Sequence, residues 1–356
     1  MKIPSIFKLP PNRVWRTYPG GKVLDIRQGM ANGKDTQYPE DWIASTTIAV
    51  NKGRENKKHE GLSIVPIGGS RHFLRDLIKK APDLMVGPAH FKKYGAETRF
   101  LLKFLDSAIR LHLQAHPTIA FSKKHLNADA GKTEAYVILA IRDEVKDPYI
   151  YLGIQHPISR EAFQEAIENQ DTDTLLSCFE KISIKPGDVF IVPGGMPHAI
   201  GEGVLMIEIM EPTDFAVRLE FERGGIVLPE EARFMGRGAS FAMDMISFDP
   251  KSVKAVRAEH FCTPVSIDVQ EGGEEFVLIG SAQTSCFSVH KVQVTRQFEK
   301  ETTSFYVGIV TNGHGQVSCE NHILDLTEGD RFFVTFAAGK IIYTGSMELV
   351  LTFPPE

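Results

Sequence analysis

Side chains that commonly bind metal ions lie in a short stretch that begins at Leu111. The stretch reads LHLQAHP, and its apolar and polar residues alternate as they do in a β-strand. The alternation sends His112, Gln114 and His116 to the same face, and Glu134 follows after a loop. An imidazole, an amide oxygen and a carboxylate suit a borderline divalent ion such as zinc. We therefore predict that Gln114, His116 and Glu134 are metal ligands.

A fourth ligand is predicted at His198, in the segment GDVFIVPGGMPH. Gly187 and Asp188 favour a tight turn, residues 189–192 form an apolar strand, and residues 193–195 bend the chain sharply. The bend would turn the His198 imidazole back towards the interior. The pattern predicts an open metal site inside a β-barrel.

The composition is that of an ordinary globular protein. The 356 residues can form two domains, each with its own core, and 42% of them are hydrophobic. A formal net charge of −5 offers no basic surface for nucleic acid, and no apolar run approaches the ~20 residues of a membrane span. The N-terminus lacks the apolar run of a signal peptide, and the four cysteines form no CxxC pair. We expect a cytoplasmic protein that binds neither nucleic acid nor membranes.

The spacing of apolar residues predicts a mainly β chain. Residues 1–70 are expected to form short strands and loops, including an apolar run from Lys22 to Ile26, and residues 71–85 a helix. Two short helices are predicted at about residues 157–182, with Ser159 as an N-cap. Trp15 is expected to pack in the core, whereas Trp42 lies in a turn-rich stretch that could shape a pocket.

Short β-runs separated by turns dominate residues 241–356, which show few helix signals. The segment KPGDVFIVPGG near residue 190 is weakly echoed by TEGDRFFVTFAAG near residue 330. We therefore predict two related barrels. Residues 1–240 would form the metal-binding catalytic domain with its helical insert, and residues 241–356 a second domain without ligands. His314 and His322 are expected to be surface or loop residues.

Four motifs together, QAHP, GKTE, VPGGMPHAIGEG and EIMEPTDFAVR, resemble those of type I mannose-6-phosphate isomerase, a zinc-dependent enzyme of the cupin superfamily. The resemblance covers roughly residues 10–240 and is weaker in the C-terminal part. It implies a fold of two cupin-type, jelly-roll β-barrels. It also implies that one Zn²⁺ is held by Gln114, His116, Glu134 and His198, although other divalent metals tolerate the same ligands.

The same resemblance suggests residues for catalysis and substrate binding. The family spacing E-x5-D-x3-R is present as Glu208, Asp214 and Arg218, and Lys132 and Lys103 lie where the family has basic residues. Arg218 and Lys132 could stabilise a developing oxyanion and also bind substrate. Glu208 and Asp214 are both candidate proton-transfer bases, and the sequence does not rank them. The structural alternatives are an arginine-paired strand residue for Glu208 and an exposed strand cation for Arg218.

Two further residues have open roles. Lys103 lies within an apolar strand, where its ammonium group either reaches past the strand edge or faces the substrate cavity. His112 occupies the position of a family serine that helps bind the substrate phosphate. It could contact phosphate as an imidazolium, act as a pocket base, orient a metal ligand, or indicate a different substrate.

The expected activity is interconversion of mannose 6-phosphate and fructose 6-phosphate through an enediol(ate), by a monomer or homodimer. One alternative is an isomerase of the same fold acting on a different or unphosphorylated sugar. The other is a non-catalytic sugar-binding cupin in which the metal is structural.

Overall fold

The computed structural model describes residues 3–320 and 322–356 and is built mainly from strands. The first strands are β1 (Ile6–Lys8), β2 (Arg13–Val14), β3 (Glu40–Ile43), β4 (Ile64–Ile67), β5 (Ser70–Phe73), β6 (Leu101–Asp106), β7 (Gln114–Ala115), β8 (Glu134–Ile141), β9 (Tyr149–Leu152), β10 (Ile182–Ser183), β11 (Val189–Val192), β12 (His198–Ile200), β13 (Val204–Met210), β14 (Val217–Arg218), β15 (Glu222–Arg223) and β16 (Ile226–Val227). The later ones are β17 (Val265–Gln270), β18 (Gly273–Ile279), β19 (Ser288–Val294), β20 (Gln297–Glu301), β21 (Tyr306–Cys319), β22 (His322–Thr327), β23 (Arg331–Val334) and β24 (Lys340–Phe353).

The helices are short and connect the strands. They are α1 (Lys22–Arg27), α2 (Leu74–Lys80), α3 (Pro82–Met85), α4 (Pro88–Tyr94), α5 (Ile119–His125), α6 (Arg160–Glu168), α7 (Thr172–Ser177), α8 (Glu230–Arg233), α9 (Ala239–Met245) and α10 (Val253–His260), with a 3₁₀ turn at Phe336–Ala338. In the described part of the chain, none of them has the length and apolar character needed to cross a membrane.

Two antiparallel sheets enclose the interior of the N-terminal part. One has the strand order β11-β8-β13-β6-β3-β2 and the other β10-β9-β12-β7-β14. A single apolar cluster joins them, with Tyr136 and Met206 from the first sheet and Leu152 and Ile200 from the second. Their hydrogen-bonded edges do not close into a barrel, so the layers form an open sandwich.

Strand alternation decides which residues of the first sheet face that interior. On β13, Leu205 and Ile207 face outwards into a second apolar cluster, whereas Met206 faces inwards. Because side chains alternate between faces, Glu208 points inwards with Met206. The same argument places Glu134 of β8 inwards beside Tyr136. The strands β8 and β13, which are buried on both faces over most of their length, therefore hold charged residues on one face only.

A nine-stranded sheet makes up the C-terminal part and packs on the outer face of the first. Its order is β1-β23-β21-β24-β19-β18-β17, with β20 on β24 and β22 on β21. The shared core joins Ile207 and Val137 to Phe305 and Val350. Strand β1, from the N-terminal segment, pairs with β23 and so forms part of the C-terminal sheet.

The prediction of a mainly β chain with a helical insert is confirmed. Helices α6 and α7 lie within residues 157–182, and Ser159 caps α6 by accepting a hydrogen bond from the Ala162 amide. One local prediction was wrong, because the apolar run at Lys22 is helix α1 and not a strand. Helices α9 and α10 lie in or next to the stretch after residue 240, which shows few helix signals in the sequence. The domain boundary at residue 240 stays a prediction.

Candidate active site

The four predicted metal ligands meet at one point between the two sheets. His116 Nε2 lies 3.2 Å from Glu134 Oε1, and His198 Nε2 lies 3.2 Å from Glu134 Oε2. The Gln114 amide nitrogen lies 3.3 Å from His198 Nε2. Antiparallel pairing of β12 with β7 places His198 directly opposite Gln114. The structure therefore brings together side chains that lie up to 84 positions apart in the sequence.

Backbone carbonyl groups fix the orientation of both imidazoles. His116 Nδ1 donates to the Phe215 carbonyl at 2.8 Å, and His198 Nδ1 donates to the Met196 carbonyl at 2.9 Å. This leaves each Nε2 with a lone pair directed at Glu134. Burial lowers the pKa of His116 to about 3, so that ring is neutral, as a metal ligand must be.

The cluster fits a divalent cation. One ligand atom from each of His116, Glu134 and His198 lies within 4.8 Å of the others, and all three residues are buried. Glu134 Oε1 is buried and makes no hydrogen bond of good geometry, although two nitrogen atoms lie 3.2 Å from it. A buried carboxylate oxygen in that state calls for a cation. Rotating the Gln114 amide by 180° would add its oxygen to the donor set.

Two neighbouring groups hold the Glu134 carboxylate. Tyr136 donates a hydrogen bond to Oε2, and the Lys132 ammonium lies 3.2 Å from Oε1. Lys132 Nζ also lies 3.4 Å from His116 Nε2. Burial lowers the pKa of Lys132. The predicted pocket lysine is therefore next to the metal cluster.

A cavity of about 720 Å³ adjoins the cluster. Its volume lies in the range typical of small-molecule sites. Gln114 and Lys132 line it on the cluster side, and Trp15, Lys52 and Arg237 are among its other lining residues. The residues predicted for substrate and proton transfer also line it: Lys103, His112, Glu208, Asp214 and Arg218.

The two candidate bases have different environments. Asp214 makes a two-pronged ion pair with the Arg16 guanidinium at 2.8 and 2.9 Å. Burial acts to raise the pKa of Asp214, but the Arg16 guanidinium lowers the pKa below its ordinary value. Among residues 3–320 and 322–356, the Glu208 carboxylate forms one ion pair, with the Lys103 ammonium at 3.1 Å, and burial raises the pKa of Glu208 to about 8. Glu208 is therefore better suited than Asp214 to exchange a proton near neutral pH.

His112 and Arg218 carry unpaired hydrogen-bonding atoms. His112 Nε2 and Arg218 Nη1 are both buried and have no hydrogen-bond partner among the described residues. Burial, followed by the charge of Arg218, lowers the pKa of His112 to about 3. The ring is thus neutral, which argues against the imidazolium role considered for it. Burial also lowers the pKa of Arg218, for which no ion pair is found among residues 3–320 and 322–356.

The two tryptophans have the opposite roles from those expected. Trp15 is partly exposed and lines the cavity, with the Arg54 guanidinium 5.1 Å from its ring centre. Trp42 is fully buried and outside the cavity lining, and its indole nitrogen donates to Glu40 at 2.7 Å. Glu40, Arg16 and Tyr18 also line the cavity and were not predicted. The only sequence signal was a charged residue in an apolar strand, in PEDWI.

Comparisons with known proteins agree with the motifs. A family model described as "Mannose-6-phosphate isomerase, cupin domain" matches residues 281–354, where the motif resemblance was weaker. The chain is 27% identical over 256 residues to the probable mannose-6-phosphate isomerase GmuF of Bacillus subtilis. The matched region covers 71% of this chain and 74% of that protein.

Solved structures share the whole fold. The mannose 6-phosphate isomerase from Bacillus subtilis superposes with a TM-score of 0.75 at 20% identity, over 98% of this chain and 99% of that one. A zinc-bound mannose 6-phosphate isomerase superposes with a TM-score of 0.73 at 14% identity, over 99% of this chain and 100% of that one. The cupin-type fold prediction is confirmed. The motifs and these matches agree that the chain is similar to mannose-6-phosphate isomerases in sequence and in fold.

Proposed function

We propose that this protein is a divalent-metal-dependent isomerase that interconverts mannose 6-phosphate and fructose 6-phosphate. The observation that carries the proposal is the cluster of Gln114, His116, Glu134 and His198 beside a charged cavity. The named relatives support the same reaction. The scattered cysteines support a cytoplasmic location.

The proposed chemistry moves one proton between C1 and C2 of the sugar. When bound, the divalent ion supplies a Lewis acid for the sugar oxygens. The Glu208 carboxylate removes the proton from C2 of the aldose, and the electron pair of that C–H bond forms the enediolate double bond. The pair of the C1 carbonyl bond moves onto O1. The hydroxyl proton of O2 then passes to O1, the pair left on O2 forms the C2 carbonyl, and the C1–C2 double-bond pair takes the proton back from Glu208 at C1, which gives the ketose. The Lys103 ammonium, 3.1 Å away, holds Glu208 in place.

Two cations would stabilise the negative charge that develops on the sugar oxygens. Lys132 lies beside Glu134, and Arg218 has a buried donor that finds no acceptor in the described part of the chain. Because the site is largely shielded from water, a fixed cation there is worth more than one in solvent. Asp214 is less suited to be the base because Arg16 already binds both of its oxygens.

Zinc is the proposed resident metal. Two neutral imidazoles, one carboxylate and one amide oxygen form the kind of nitrogen and oxygen donor set that zinc accepts. The zinc-bound neighbour of the same fold supports this choice. Manganese, cobalt and iron accept similar donors, so we expect them to replace zinc in part.

The charges of the site favour a phosphorylated sugar. Apart from the exposed lining residues Lys52, Glu231 and Arg237, and with Glu208 ionised, the site has four cations, Arg16, Lys103, Lys132 and Arg218, and four carboxylates, Glu40, Glu134, Glu208 and Asp214. A divalent ion would leave the site with two uncompensated positive charges. A phosphate dianion would neutralise them, whereas a free sugar would leave them in a low-dielectric cavity.

A coupled assay with mannose 6-phosphate tests the proposal directly. We expect turnover by the purified protein, loss of that turnover after chelation, and recovery when zinc is added back. The metal-depleted protein should keep its circular dichroism spectrum, which separates loss of metal from unfolding. Turnover that survives complete metal removal would contradict the proposal.

A substrate panel separates the phosphate-specific enzyme from an isomerase for free sugars. We expect kcat/KM for mannose 6-phosphate to exceed that for mannose by at least about 100-fold, because loss of one buried charge pair is worth several kcal/mol. Equal kcat/KM values for the two sugars would favour the free-sugar isomerase. Sugar binding without any turnover would favour the non-catalytic alternative.

The role of His112 is tested by His112→Ser. Since the neutral His112 ring lines the cavity, we expect KM for mannose 6-phosphate to change about 3- to 30-fold, as expected for one or two hydrogen bonds. Zinc affinity should change less than about threefold, because His112 does not contact the cluster. A large loss of zinc affinity with unchanged KM would instead assign His112 to orienting the metal ligands.

A further inference from the structure

A single buried carboxylate, Glu40, binds the two cations of the cavity floor. It is 3% exposed and accepts hydrogen bonds from the Tyr18 hydroxyl at 2.5 Å, the Trp42 indole at 2.7 Å and the Arg16 guanidinium at 2.9 Å. The Lys103 ammonium lies 3.3 Å from the same carboxylate. Three of these donors converge on Oε2 and Tyr18 donates to Oε1, so most of the acceptor capacity of the carboxylate is used within the protein.

Each of the two cations carries one of the candidate bases. Arg16 binds Asp214 through two N–H groups at 2.8 and 2.9 Å. Lys103 lies 3.1 Å from Glu208. Glu40 therefore pairs with both cations, and each cation also pairs with one candidate base.

We propose that Glu40 is a positioning residue for the isomerase reaction, holding Glu208 and Asp214 in place through Lys103 and Arg16. The inference rests on the proposed function, because it assumes that Glu208 or Asp214 acts on the sugar. It adds a residue that the family motifs did not indicate and that does not itself touch the sugar.

The fold holds Glu40 rigidly. Pairing of β3 with β6 places Trp42 opposite Lys103, two residues along from Glu40. Alternation along β3 puts Glu40 and Trp42 on the same inward face. The Arg16 guanidinium also lies 5.0 Å from the Trp42 ring centre, so the indole contacts both members of the Arg16–Glu40 pair. A carboxylate held from several sides can fix the cations that it binds.

Loss of the Glu40 charge would change both ion pairs. Within the described residues, Lys103 would then keep Glu208 as its remaining ion-pair partner, and Arg16 would keep Asp214. An unbalanced buried cation is drawn towards its remaining anion. We therefore expect Lys103 to pull Glu208 away from the position from which it reaches C1 and C2. A shift of about 1 Å at a reacting group can cost on the order of 100-fold in rate.

The test compares Glu40→Gln with the wild-type zinc enzyme. We expect kcat for mannose 6-phosphate to fall about 10- to 100-fold. KM and zinc affinity, the latter measured by calorimetry, should change less than about threefold, since Glu40 is not in contact with the metal cluster. An unchanged kcat would overturn the proposal. Parallel loss of kcat and zinc affinity would also overturn it, because it would indicate general disruption of the site.

Glu275→Gln is the matched control. Glu275 is a carboxylate that is 2% exposed, and it binds two cationic or basic partners, Lys300 at 2.7 Å and His290 at 2.6 Å. It lies in the C-terminal sheet, away from the cavity. We expect Glu275→Gln to lower the melting temperature but to keep kcat. If it lowers kcat as much as Glu40→Gln does, the effect is one of stability and the proposal fails.

Tyr18→Phe keeps the test decisive if Glu40→Gln does not fold. It removes one donor to Glu40 without changing the charge. We expect kcat to fall about 3- to 10-fold, the effect of one buried hydrogen bond. If kcat is unchanged and only KM rises, Tyr18 binds the substrate and the proposal is contradicted. Absence of turnover in the wild type would contradict the proposed function itself, whereas turnover with unaffected variants would contradict only the role of Glu40.

Discussion

Replacement of His198 by alanine is expected to lower zinc affinity by at least about 100-fold and kcat/KM by at least about 1000-fold. His198 is the residue that closes the cluster, because β12 brings it opposite Gln114 on β7. Without its imidazole, the remaining donors are one imidazole, one carboxylate and one amide. Calorimetric zinc titration and the coupled isomerase assay measure the two effects separately.

His290→Ala is the control for His198→Ala. His290 is a partly exposed histidine of the C-terminal sheet that also pairs with a buried carboxylate, Glu275, at 2.6 Å. We expect its loss to reduce stability while leaving zinc affinity and kcat/KM unchanged. If His198→Ala keeps full zinc affinity, the metal is bound elsewhere.

The second large effect is expected for Glu208→Gln. The amide has the same shape as the carboxylate but cannot accept a proton, so we expect kcat to fall about 100- to 10,000-fold. Zinc affinity should be nearly unchanged, because Glu208 pairs with Lys103 and is not one of the proposed ligands. Asp214→Asn is the comparison. Since Arg16 occupies both Asp214 oxygens, we expect it to cause the smaller loss of kcat. The reverse order would make Asp214 the base.

The pH dependence of the wild type follows from the same carboxyl group. Burial raises the pKa of Glu208 to about 8, and only its ionised form can remove a proton from the sugar. Activity should therefore rise with pH through the pKa of Glu208. A bound divalent ion favours the ionised form of Glu208. We therefore expect the rise of activity with pH to occur below pH 8 in the zinc enzyme. A rate that falls over the same range would contradict the role of Glu208.

The sequence was sufficient to predict which four side chains meet between the two sheets. Strand alternation explains why Gln114 and His116 face the same side, and the sharp bend before His198 explains why its ring turns inwards. Motifs located these residues because their chemistry constrains both residue type and spacing. Similar reasoning located helices α6 and α7, where an N-cap and an apolar stripe coincide.

The supporting groups could not be predicted because long-range packing determines them. Nothing in PEDWI indicates that Glu40 binds Arg16 and Lys103, which lie 24 residues before it and 63 after it in the sequence. Helix α1 was missed for a related reason. Its first amide groups donate to Asp35 and Asp106, and the second of these is 83 residues from its donor, Val23. Such tertiary capping overrides the strand preference of a β-branched run.

The second half of the chain has a structural role that the motifs did not reveal. Its sheet covers the outer face of the sheet that carries Glu134 and Glu208, and Arg331 forms a buried ion pair with Asp41 at 2.5 Å. Asp41 is the neighbour of Glu40 on β3 and faces the opposite side. The C-terminal sheet therefore contacts the face of β3 that carries Asp41, opposite the face that carries Glu40.

Zinc anomalous scattering from crystals of the purified protein tests the central claim most directly. We predict one strong peak per chain, about 2.0–2.2 Å from His116 Nε2, His198 Nε2 and a Glu134 oxygen, with the Gln114 oxygen turned towards it. A zinc-loaded crystal without a peak between these side chains, or with its only ordered peak elsewhere, would contradict the account.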